Sequence, residues 1–249
     1  MEVEIKDIYK AYGDHQALNG VSMDIPEERT VEYISPGIGQ GTNCVILDDG
    51  SLMCWGYNYY GQVGDGTSYA TSGWDATKRS PVYVSLPAGR TAIAVDNGYS
   101  HTCAILDNGV VKCWGKGTGG QLGDGSMTSS ATPVSVSLPA GRTAVALASG
   151  NYHNCAILDN GSVMCWGSNS AGQLGNGNPA THGAGSSESS PVYIDLGTNQ
   201  KAIQIDAGPE TTCVIIENGS VICWGYHGAQ TTGLPVYLPL PTGYSAIDL

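Results

Sequence analysis

The chain lacks phenylalanine altogether and is poor in positive charge. Its 249 residues include 10 Lys and Arg against 22 Asp and Glu, which gives a formal net charge of −12. Because binding to a nucleic-acid backbone requires clustered cations, no DNA or RNA partner is expected. No apolar run approaches the roughly 20 residues of a membrane-spanning helix, so no membrane span is expected. Helical periodicity is also absent, which favours an all-β fold.

The usual signatures of catalysis and of cofactor binding are missing as well. Neither a G-x-S-x-G motif nor a Ser, His and Asp set stands out. No run of alternating acidic residues suits calcium. The sequence therefore predicts a protein that is not an enzyme and that holds no metal and no cofactor.

One stretch, CAILDNGVVKCWG from Cys103 to Gly115, occurs four times in the chain. The other copies read CVILDDGSLMCWG, CAILDNGSVMCWG and CVIIENGSVICWG. In each copy, two apolar runs flank an Asp-Asn-Gly type tripeptide, a pattern that predicts a β-hairpin. Opposed residues in such a hairpin lie about 4.5–5.5 Å apart, within reach of a disulfide. The predicted pairs are Cys44 with Cys54, Cys103 with Cys113, Cys155 with Cys165, and Cys213 with Cys223.

The cysteines also indicate a compartment. Four equally spaced pairs favour disulfides and an oxidising environment, so we expect an extracellular or cell-surface protein. One alternative is that the cysteines are reduced and buried as small apolar residues. A zinc site is a weaker alternative, since no CxxC motif occurs. The first residues, MEVEIKDIYK, do not resemble a secretory signal. This conflicts with the disulfide interpretation unless the mature chain is shown or the true start is missing.

The period of the repeat predicts the architecture. The tryptophans of the four CWG motifs recur at intervals of roughly 50 to 60 residues, and each interval holds four short strands, as propeller blades do. The predicted fold is all-β, a β-propeller-like array of four-stranded blades. The four repeats cover about residues 29–89, 90–141, 142–200 and 201–249, after an N-terminal β-hairpin segment at 1–28. We expect the array to be closed either by the N-terminal strands or by oligomerisation.

Two histidines occupy equivalent positions in the second and third repeats. His101 and His153 each lie two residues before a cysteine, where the other repeats carry Thr42 and Thr211. Since two of the four repeats lack the imidazole, a ring of metal ligands is not expected. We assign both histidines a packing or polar role.

The N-terminal segment carries a resemblance of its own. The string IKDIYKAYGDHQALNGVSMDIPEE resembles the opening of an ABC-type ATPase domain, a family in which an aromatic at the position of Tyr12 stacks on adenine. A phosphate loop requires G-x-x-x-x-G-K-[ST], whereas Pro36 to Asn43 reads PGIGQGTN, without a lysine. ATP is therefore not expected as a ligand.

The combination HTCAILDNGVVKCWG, GQLGDG and PV, in that order, resembles the regulator of chromosome condensation repeat family. The resemblance covers residues 29–249 and implies a β-propeller, usually of seven blades. It implies that the CWG tryptophans pack between blades. It also implies structural loop roles for Gly61-Gln62, Gly120-Gln121 and Gly172-Gln173. The cysteine pairs suit secreted microbial relatives. The nuclear prototype is a nucleotide-exchange factor for a small GTPase, an activity that no residue here carries over.

Extra length falls at one point of the repeat. Insertions at 67–80 and 178–190 separate the Gly-rich loop from the last strand, and insertions of this kind map to one face, often the binding face. The first contains an aromatic and cationic group typical of a contact hot spot, Trp74, Tyr69, Lys78 and Arg79. We expect a protein or surface glycan partner at these two loops. The alternative is that Trp74 folds back over its own blade.

Two tripeptides, Asn160-Gly-Ser and Asn218-Gly-Ser, match the N-glycosylation sequon. Both are also ordinary hairpin turns, and the turn explains them. If the protein passes through a glycosylating pathway, these exposed tips are available.

The most consistent function is a non-enzymatic, extracellular binding or scaffold protein. One alternative is a self-assembling subunit of a cell-surface filament or sheath, in which open blade edges dock head to tail. The other is a nucleotide-exchange factor for a GTPase.

Overall fold

The computed structural model of the protein describes residues 29–37, 41–69, 77–177, 187–227, 230–241 and 245–248, together with four strand backbones before residue 29. In that N-terminal part, β1 (Val3–Ile8) pairs antiparallel with β4 (Val21–Ile25). Between them, β2 (Ala11–Tyr12) pairs with β3 (His15–Gln16). The described part of the chain contains no helix long and apolar enough to cross a membrane.

The rest of the described chain forms four four-stranded antiparallel sheets, each a meander of consecutive strands. Blade 1 contains β5 (Val31–Ser35), β6 (Thr42–Leu47), β7 (Leu52–Tyr57) and β8 (Thr77–Tyr83). Blade 2 contains β9 (Ala92–Asn97), β10 (His101–Leu106), β11 (Val111–Gly115) and β12 (Ser130–Ser135). Blade 3 contains β13 (Ala144–Ser149), β14 (His153–Leu158), β15 (Val163–Ser168) and β16 (Ser187–Ile194). Blade 4 contains β17 (Ala202–Ala207), β18 (Thr211–Ile216), β19 (Val221–His227) and β20 (Gln230–Leu238). The predicted all-β array of blades is confirmed.

The central hairpin of each blade forms because its turn suits an Asn-Gly or Asp-Gly sequence. In blade 2, Gly109 adopts a φ of 74°, a left-handed conformation that glycine reaches without steric cost. The side chain of Asn108 accepts a hydrogen bond from the Val110 N–H at 3.2 Å and closes the turn. The resulting register places Cys103 opposite Cys113.

All eight cysteines form disulfides within their own hairpins, as predicted. The bonds join Cys44 to Cys54, Cys103 to Cys113, Cys155 to Cys165 and Cys213 to Cys223. The paired Cα atoms lie 4.1 Å apart in blade 2, the close spacing of a pair without hydrogen bonds between its own backbone groups. The prediction of disulfides is confirmed over the alternatives of buried thiols and zinc.

The hydrophobic core lies between blades. Cys44 and Cys54 of blade 1 share a cluster with Ala104 and Trp114 of blade 2, and equivalent clusters join blades 2 and 3 and blades 3 and 4. The first strands of the blades, β5, β9, β13 and β17, lie next to one another. Each of these three clusters therefore buries the facing apolar sides of two adjacent blades.

A repeated polar contact holds each blade to the next. The backbone carbonyl of Gln62 accepts a hydrogen bond from Trp114 Nε1 at 2.8 Å, and Gln121 and Gln173 accept equivalent bonds at 3.0 and 2.9 Å. The donors at the last two sites are Trp166 and Trp224, and all three indole rings are fully buried. The position between blades that the family resemblance implies is confirmed for Trp114, Trp166 and Trp224, whereas Trp55 clusters with residues of its own blade among those described.

The glutamine side chains explain why these carbonyls are held in place. Gln62 Oε1 accepts the N–H of Tyr60 at 2.9 Å, and Gln121 Oε1 accepts the N–H of Gly119 at 2.8 Å. Each glutamine is at most 2% exposed, so its side chain serves its own loop while its carbonyl serves the next blade. The structural role expected for the Gly-Gln loops is confirmed.

A second contact seats the first strand of each blade on the preceding hairpin. The N–H groups of Ala92, Ala144 and Ala202 donate to hairpin glycine carbonyls of the previous blade, at 2.8 to 2.9 Å. Ala246 donates to Gly219 of blade 4 at 2.9 Å in the same way. Residues 245–248 therefore occupy the place of a first strand.

The meander defines two ends of the array. The loops between first and second strands and between third and fourth strands lie at one end, which we call the loop end. The turns between second and third strands lie at the opposite end, which we call the hairpin end.

We predict that removing one disulfide destabilises the protein measurably. Replacing Cys103 and Cys113 together by alanine should lower the free energy of unfolding by about 2–4 kcal/mol, since a cross-link of this kind restrains the unfolded chain. Denaturant unfolding of the purified variant measures the loss. The same double replacement of Cys155 and Cys165 should cost a similar amount because the sites are equivalent. Unchanged unfolding in both variants would contradict a structural role for the disulfides.

Candidate partner-binding face

The loop end carries a cluster of aromatic side chains around one cation. The cluster draws residues from blades 1, 2 and 3, all of them partly exposed. We call the following six residues the tyrosine–lysine cluster: Tyr57, Tyr59, Tyr60, Tyr99, Tyr152 and Lys116.

Buried polar groups hold the loop that presents the blade 1 tyrosines. Asn58 is fully buried, and its Oδ1 accepts the N–H of Val63 at 2.9 Å. Its Nδ2 donates to the carbonyl of Thr67 at 3.1 Å. Because the backbone is fixed on both sides, Tyr59 and Tyr60 project from a rigid loop, which lowers the entropic cost of contacting a partner.

Ring contacts connect the tyrosines within blade 1 and join a tyrosine of blade 2 to one of blade 3. The rings of Tyr57 and Tyr59 stack with centroids 6.3 Å apart, and Tyr59 and Tyr60 meet edge to face at 4.9 Å. The rings of Tyr99 and Tyr152 lie 5.5 Å apart across the junction between blades 2 and 3. These distances fall in the range of favourable aromatic pairs.

Lys116 joins the two groups of rings. Its Nζ lies 5.4 Å from the centroid of Tyr60 and 5.6 Å from that of Tyr152. Both distances suit a cation–π interaction, worth about 0.5–1 kcal/mol at an exposed site. Lys116 thereby links side chains of blades 1 and 3 through blade 2.

Two tyrosines of the cluster, Tyr57 and Tyr152, have raised pKa values. Burial raises the pKa of Tyr57 above its ordinary value, and the neighbouring Tyr60 and Tyr59 raise it further. Burial also raises the pKa of Tyr152, with additional contributions from Tyr99 and Glu210. Tyr57 and Tyr152 therefore offer neutral phenol groups that donate and accept hydrogen bonds, beside their apolar rings.

Three residues singled out in the first insertion, Tyr69, Lys78 and Arg79, lie at the same end of the array, and Lys78 contacts Tyr69 and Asp65 there. Lys78 Nζ forms an ion pair with Asp65 Oδ2 at 2.9 Å and lies 5.8 Å from the ring centroid of Tyr69. The hydrogen bond from Lys78 to Asp65 raises the lysine pKa. Arg79 is exposed. Trp74 lies outside the described residues, as do residues 178–186 of the second insertion. The binding role of these residues stays a prediction.

Sequence reasoning missed the tyrosine–lysine cluster. Its signal was present, since Tyr57, Tyr59 and Tyr60 follow the first CWG motif directly and Tyr99 lies just before the next hairpin. Within any single repeat, these tyrosines are ordinary loop residues. They form a group only when the loops after the first and third strands of neighbouring blades are placed together at one end of the array.

The two histidines have the structural role expected of them. His101 Nε2 lies 2.8 Å from Asn154 Oδ1, and His153 Nε2 lies 2.8 Å from Thr212 Oγ1, so each ring contacts the next blade. Burial lowers the pKa of His101 to about 4 and that of His153 to about 3. Within the described ranges, no group of three or more His, Cys, Asp or Glu residues is placed to hold a metal ion.

The carboxylate of Asp96, on β9, links three blades. Asp96 accepts the N–H of Ser149 from blade 3 at 2.7 Å and the N–H of Asn97 at 2.9 Å. Ser35 of blade 1 donates its hydroxyl to the same carboxylate at 3.3 Å. Burial raises the pKa of Asp96 to about 6, partly opposed by these hydrogen bonds. All its near partners are backbone or hydroxyl donors, which indicates a structural role.

Four-stranded, disulfide-braced blades joined through buried tryptophans define a repeat protein of the β-propeller type. Models of the Regulator of chromosome condensation (RCC1) repeat match residues 49–105, 108–157 and 160–215, and a second model of this repeat matches 91–121 and 144–173. The chain belongs to this family. The resemblance of residues 1–28 to an ABC-type ATPase stays a prediction.

Several known proteins are similar to the chain. The Ultraviolet-B receptor UVR8 of Arabidopsis thaliana is 32% identical over 211 residues, which cover 83% of this chain and 44% of the receptor. The probable E3 ubiquitin-protein ligase HERC3 of Homo sapiens is 34% identical over 137 residues, 55% of this chain and 12% of that protein. The chain thus spans less than half the length of these curated relatives.

Solved structures support the fold. Human WBSCR16 superposes with a TM-score of 0.76 at 20% identity, over 93% of this chain and 58% of the other. Yeast RCC1 (Prp20), solved bound to Kap60, superposes with a TM-score of 0.74 at 16% identity, over 97% and 58%. At these identities the likeness concerns the fold alone.

We predict that the buried histidines make the protein sensitive to acid. Their folded pKa values lie below the ordinary 6.5, so the stability they support is present above pH 6.5 and is lost as pH falls towards about 4. The variant His101→Thr, which introduces the residue of blades 1 and 4, should lose less stability between pH 7 and 5. The expected difference is about 2 kcal/mol at pH 5, at 1.36 kcal/mol per pKa unit.

Denaturant unfolding of both proteins at several pH values measures this difference. Asp96 acts in the opposite sense, since its raised pKa adds stability as pH falls through about 6. Because both proteins contain Asp96, its contribution cancels in the comparison. Parallel pH profiles would show that His101 is not the acid-sensitive group.

Proposed function

We propose that the protein is a non-enzymatic binding or scaffold module of the extracellular space or cell surface, and that it engages its partner through the loop end. The observation that supports this most directly is the tyrosine–lysine cluster. It gathers aromatic groups from three blades on the end where β7 stops before the insertion at 67–80 and β15 stops before the insertion at 178–190.

The chemistry of the cluster is that of a contact surface. Tyrosine is enriched at the energetic centres of protein interfaces because it combines a large apolar ring with a polar group. Here the rings are partly exposed, and the loop that carries Tyr59 and Tyr60 is held by hydrogen bonds of the buried Asn58, so little conformational freedom of this loop is lost on binding. We propose that Trp74, Tyr69 and Arg79 extend this surface. A protein or a surface glycan fits such a face.

The disulfides support the proposed location. Every cysteine is paired, and Cys44, Cys103, Cys155 and Cys223 are among those with no exposed surface. Disulfides persist in oxidising compartments and are rare in the cytosol. A scaffold braced in every blade also suits conditions outside the cell, where no chaperone restores an unfolded protein.

We predict that truncating the cluster removes partner binding without unfolding the protein. The double variant Tyr59→Ala with Tyr60→Ala should retain the wild-type melting temperature within a few degrees, because both side chains are partly exposed. It should lose most of the protein or glycan captured by the wild type from cell-surface extracts, quantified by mass spectrometry and glycan arrays.

The matched control is Tyr193→Ala, which removes a tyrosine 56% exposed on the outer strand β16, away from the cluster. This control should capture the same molecules as the wild type. Equal capture by all three proteins would contradict the proposed face, and a strongly lowered melting temperature in the double variant would mark the tyrosines as structural.

A second candidate function, self-assembly, is favoured by one flank of blade 4. Val84, Val136 and Ile194 of blades 1 to 3 are 6% to 7% exposed because the following blade covers them. The equivalent residue of blade 4, Leu238, is 43% exposed, and Val236 beside it is 45% exposed. Within the described chain this apolar strip is uncovered, and a second copy of the chain would bury it.

If the flank joins two copies, a charge placed on it should separate them. The variant Leu238→Asp is expected to be monomeric in light scattering at concentrations where the wild type forms larger species. Tyr237→Asp is the matched control, since Tyr237 is 51% exposed at the position where blades 1 and 3 also expose a tyrosine. A monodisperse wild-type monomer would contradict self-assembly, and the binding module would remain as the proposed function.

A further inference from the structure

The hairpin end carries a repeated feature that partner binding does not explain. The turns of blades 3 and 4 read Asn160-Gly-Ser162 and Asn218-Gly-Ser220, at the same position of the repeat. Both asparagines are exposed. Asn-x-Ser is the acceptor sequence for N-linked glycans.

The turn accounts for each asparagine but not for the serine that follows. Asn160 Oδ1 accepts the N–H of Ser162 at 3.1 Å, and Asn218 Oδ1 accepts the N–H of Ser220 at 2.9 Å. Blade 2 makes the same contact from the N–H of Val110 at 3.2 Å. A valine serves the turn in blade 2, so the turn does not require a hydroxyl group. Blade 1 has Ser51 at this position, but its N–H donates to Asp49 at 2.9 Å, so only blades 3 and 4 combine the serine with an asparagine.

The amide group of Asn160 is arranged for reaction. Its oxygen is occupied, since the Ser162 hydroxyl also donates to Oδ1, at 2.7 Å. Donation to the carbonyl oxygen draws electrons from the amide and makes its N–H more acidic. For neither Asn160 nor Asn218 does Nδ2 donate a hydrogen bond to any side chain or backbone group in the described ranges.

The segments that pack against these two turns, from the following part of the same chain, leave both asparagines accessible. Gly161 is the turn residue that the next blade approaches, since a Cβ added there would meet Lys201 at 2.6 Å. Gly219 is approached by Ser245 in the same way. The packing between blades thus falls on the glycines, and the asparagines beside them stay in solvent.

We propose that Asn160 and Asn218 are acceptor sites for N-linked glycans. The amide nitrogen bonds to the anomeric carbon of a glycan carried on a polyprenyl diphosphate. The bond from that carbon to the diphosphate oxygen breaks, the lipid diphosphate leaves with the electron pair, and the amide releases one proton. A host glycosyltransferase performs the step. The inference rests on the proposed secretory route but not on partner binding.

The position of the two sites gives the glycans a consequence. They lie on adjacent blades at the hairpin end, whereas the tyrosine–lysine cluster lies at the loop end. Glycans at these tips extend away from the partner-binding face and leave it uncovered. They also shield the hairpin end from non-specific contacts.

The test directs the full chain into the secretory pathway of cultured insect cells and analyses the secreted, disulfide-bonded protein. Digestion with an amide-cleaving glycosidase in heavy-oxygen water labels each modified asparagine, and peptide mass spectrometry locates the labels. We expect labels at Asn160 and Asn218 and none at Asn108. The variant Ser162→Ala should lose only the label at Asn160.

Blade 2 supplies the matched control. Val110→Ser creates the missing sequon in the same turn and should add a label at Asn108. Unlabelled Asn160 and Asn218 in the secreted wild type would overturn the proposal, whether or not the Val110→Ser variant is labelled at Asn108.

Failure of this proposal is distinguishable from failure of the binding module. The deglycosylated protein should capture the same molecules as the untreated protein, because the two ends of the blades are separate. Absent labels with intact capture would reject the glycan sites alone, and labels with no capture would reject the binding face alone.

Discussion

The packing of the blades depends on the hydrogen bond that a buried tryptophan donates to the Gly-Gln loop of the preceding blade. Gln62, Gln121 and Gln173 present their carbonyls to fully buried indole N–H groups. Leaving such a buried donor unpaired would cost about 1–3 kcal/mol, more than the bond itself contributes. The contact therefore selects one orientation of each blade against the next. The disulfide of one blade and the tryptophan of the following blade then complete the core between them.

The same contact connects the core to the proposed function. The loop that offers its carbonyl to Trp114 also carries Tyr59 and Tyr60, and its backbone is fixed by Asn58 and Gln62. The loop is held by its backbone and by the buried side-chain amides of Asn58 and Gln62, so its exposed side chains can differ without changing the loop conformation. The loop end can therefore present a binding surface without disturbing the packing between blades.

Much of the framework could be predicted because it rests on local rules. The Asn-Gly turn sets the hairpin register, and the register places Cys103 beside Cys113, so one repeat contains all the information required. The candidate site was less predictable. The binding role of Lys78 stays a prediction, and the sequence did not indicate its ion pair with Asp65. No sequence pattern marks Lys116, yet it lies between tyrosines of blades 1 and 3. Such contacts depend on how neighbouring blades are rotated, which no single repeat encodes.

The amino-acid sequence by itself determined the β-hairpins, the four disulfide pairs, the repeat of four-stranded blades and the family, since each follows from spacing within one repeat. Only the tertiary structure decided which loop residues meet. Tyr60, Lys116 and Tyr152 lie far apart along the chain, and they come together because the core between blades stacks equivalent loops at one end. Local periodicity sets strands and turns, whereas contacts across blades depend on the packing angle that the buried core imposes.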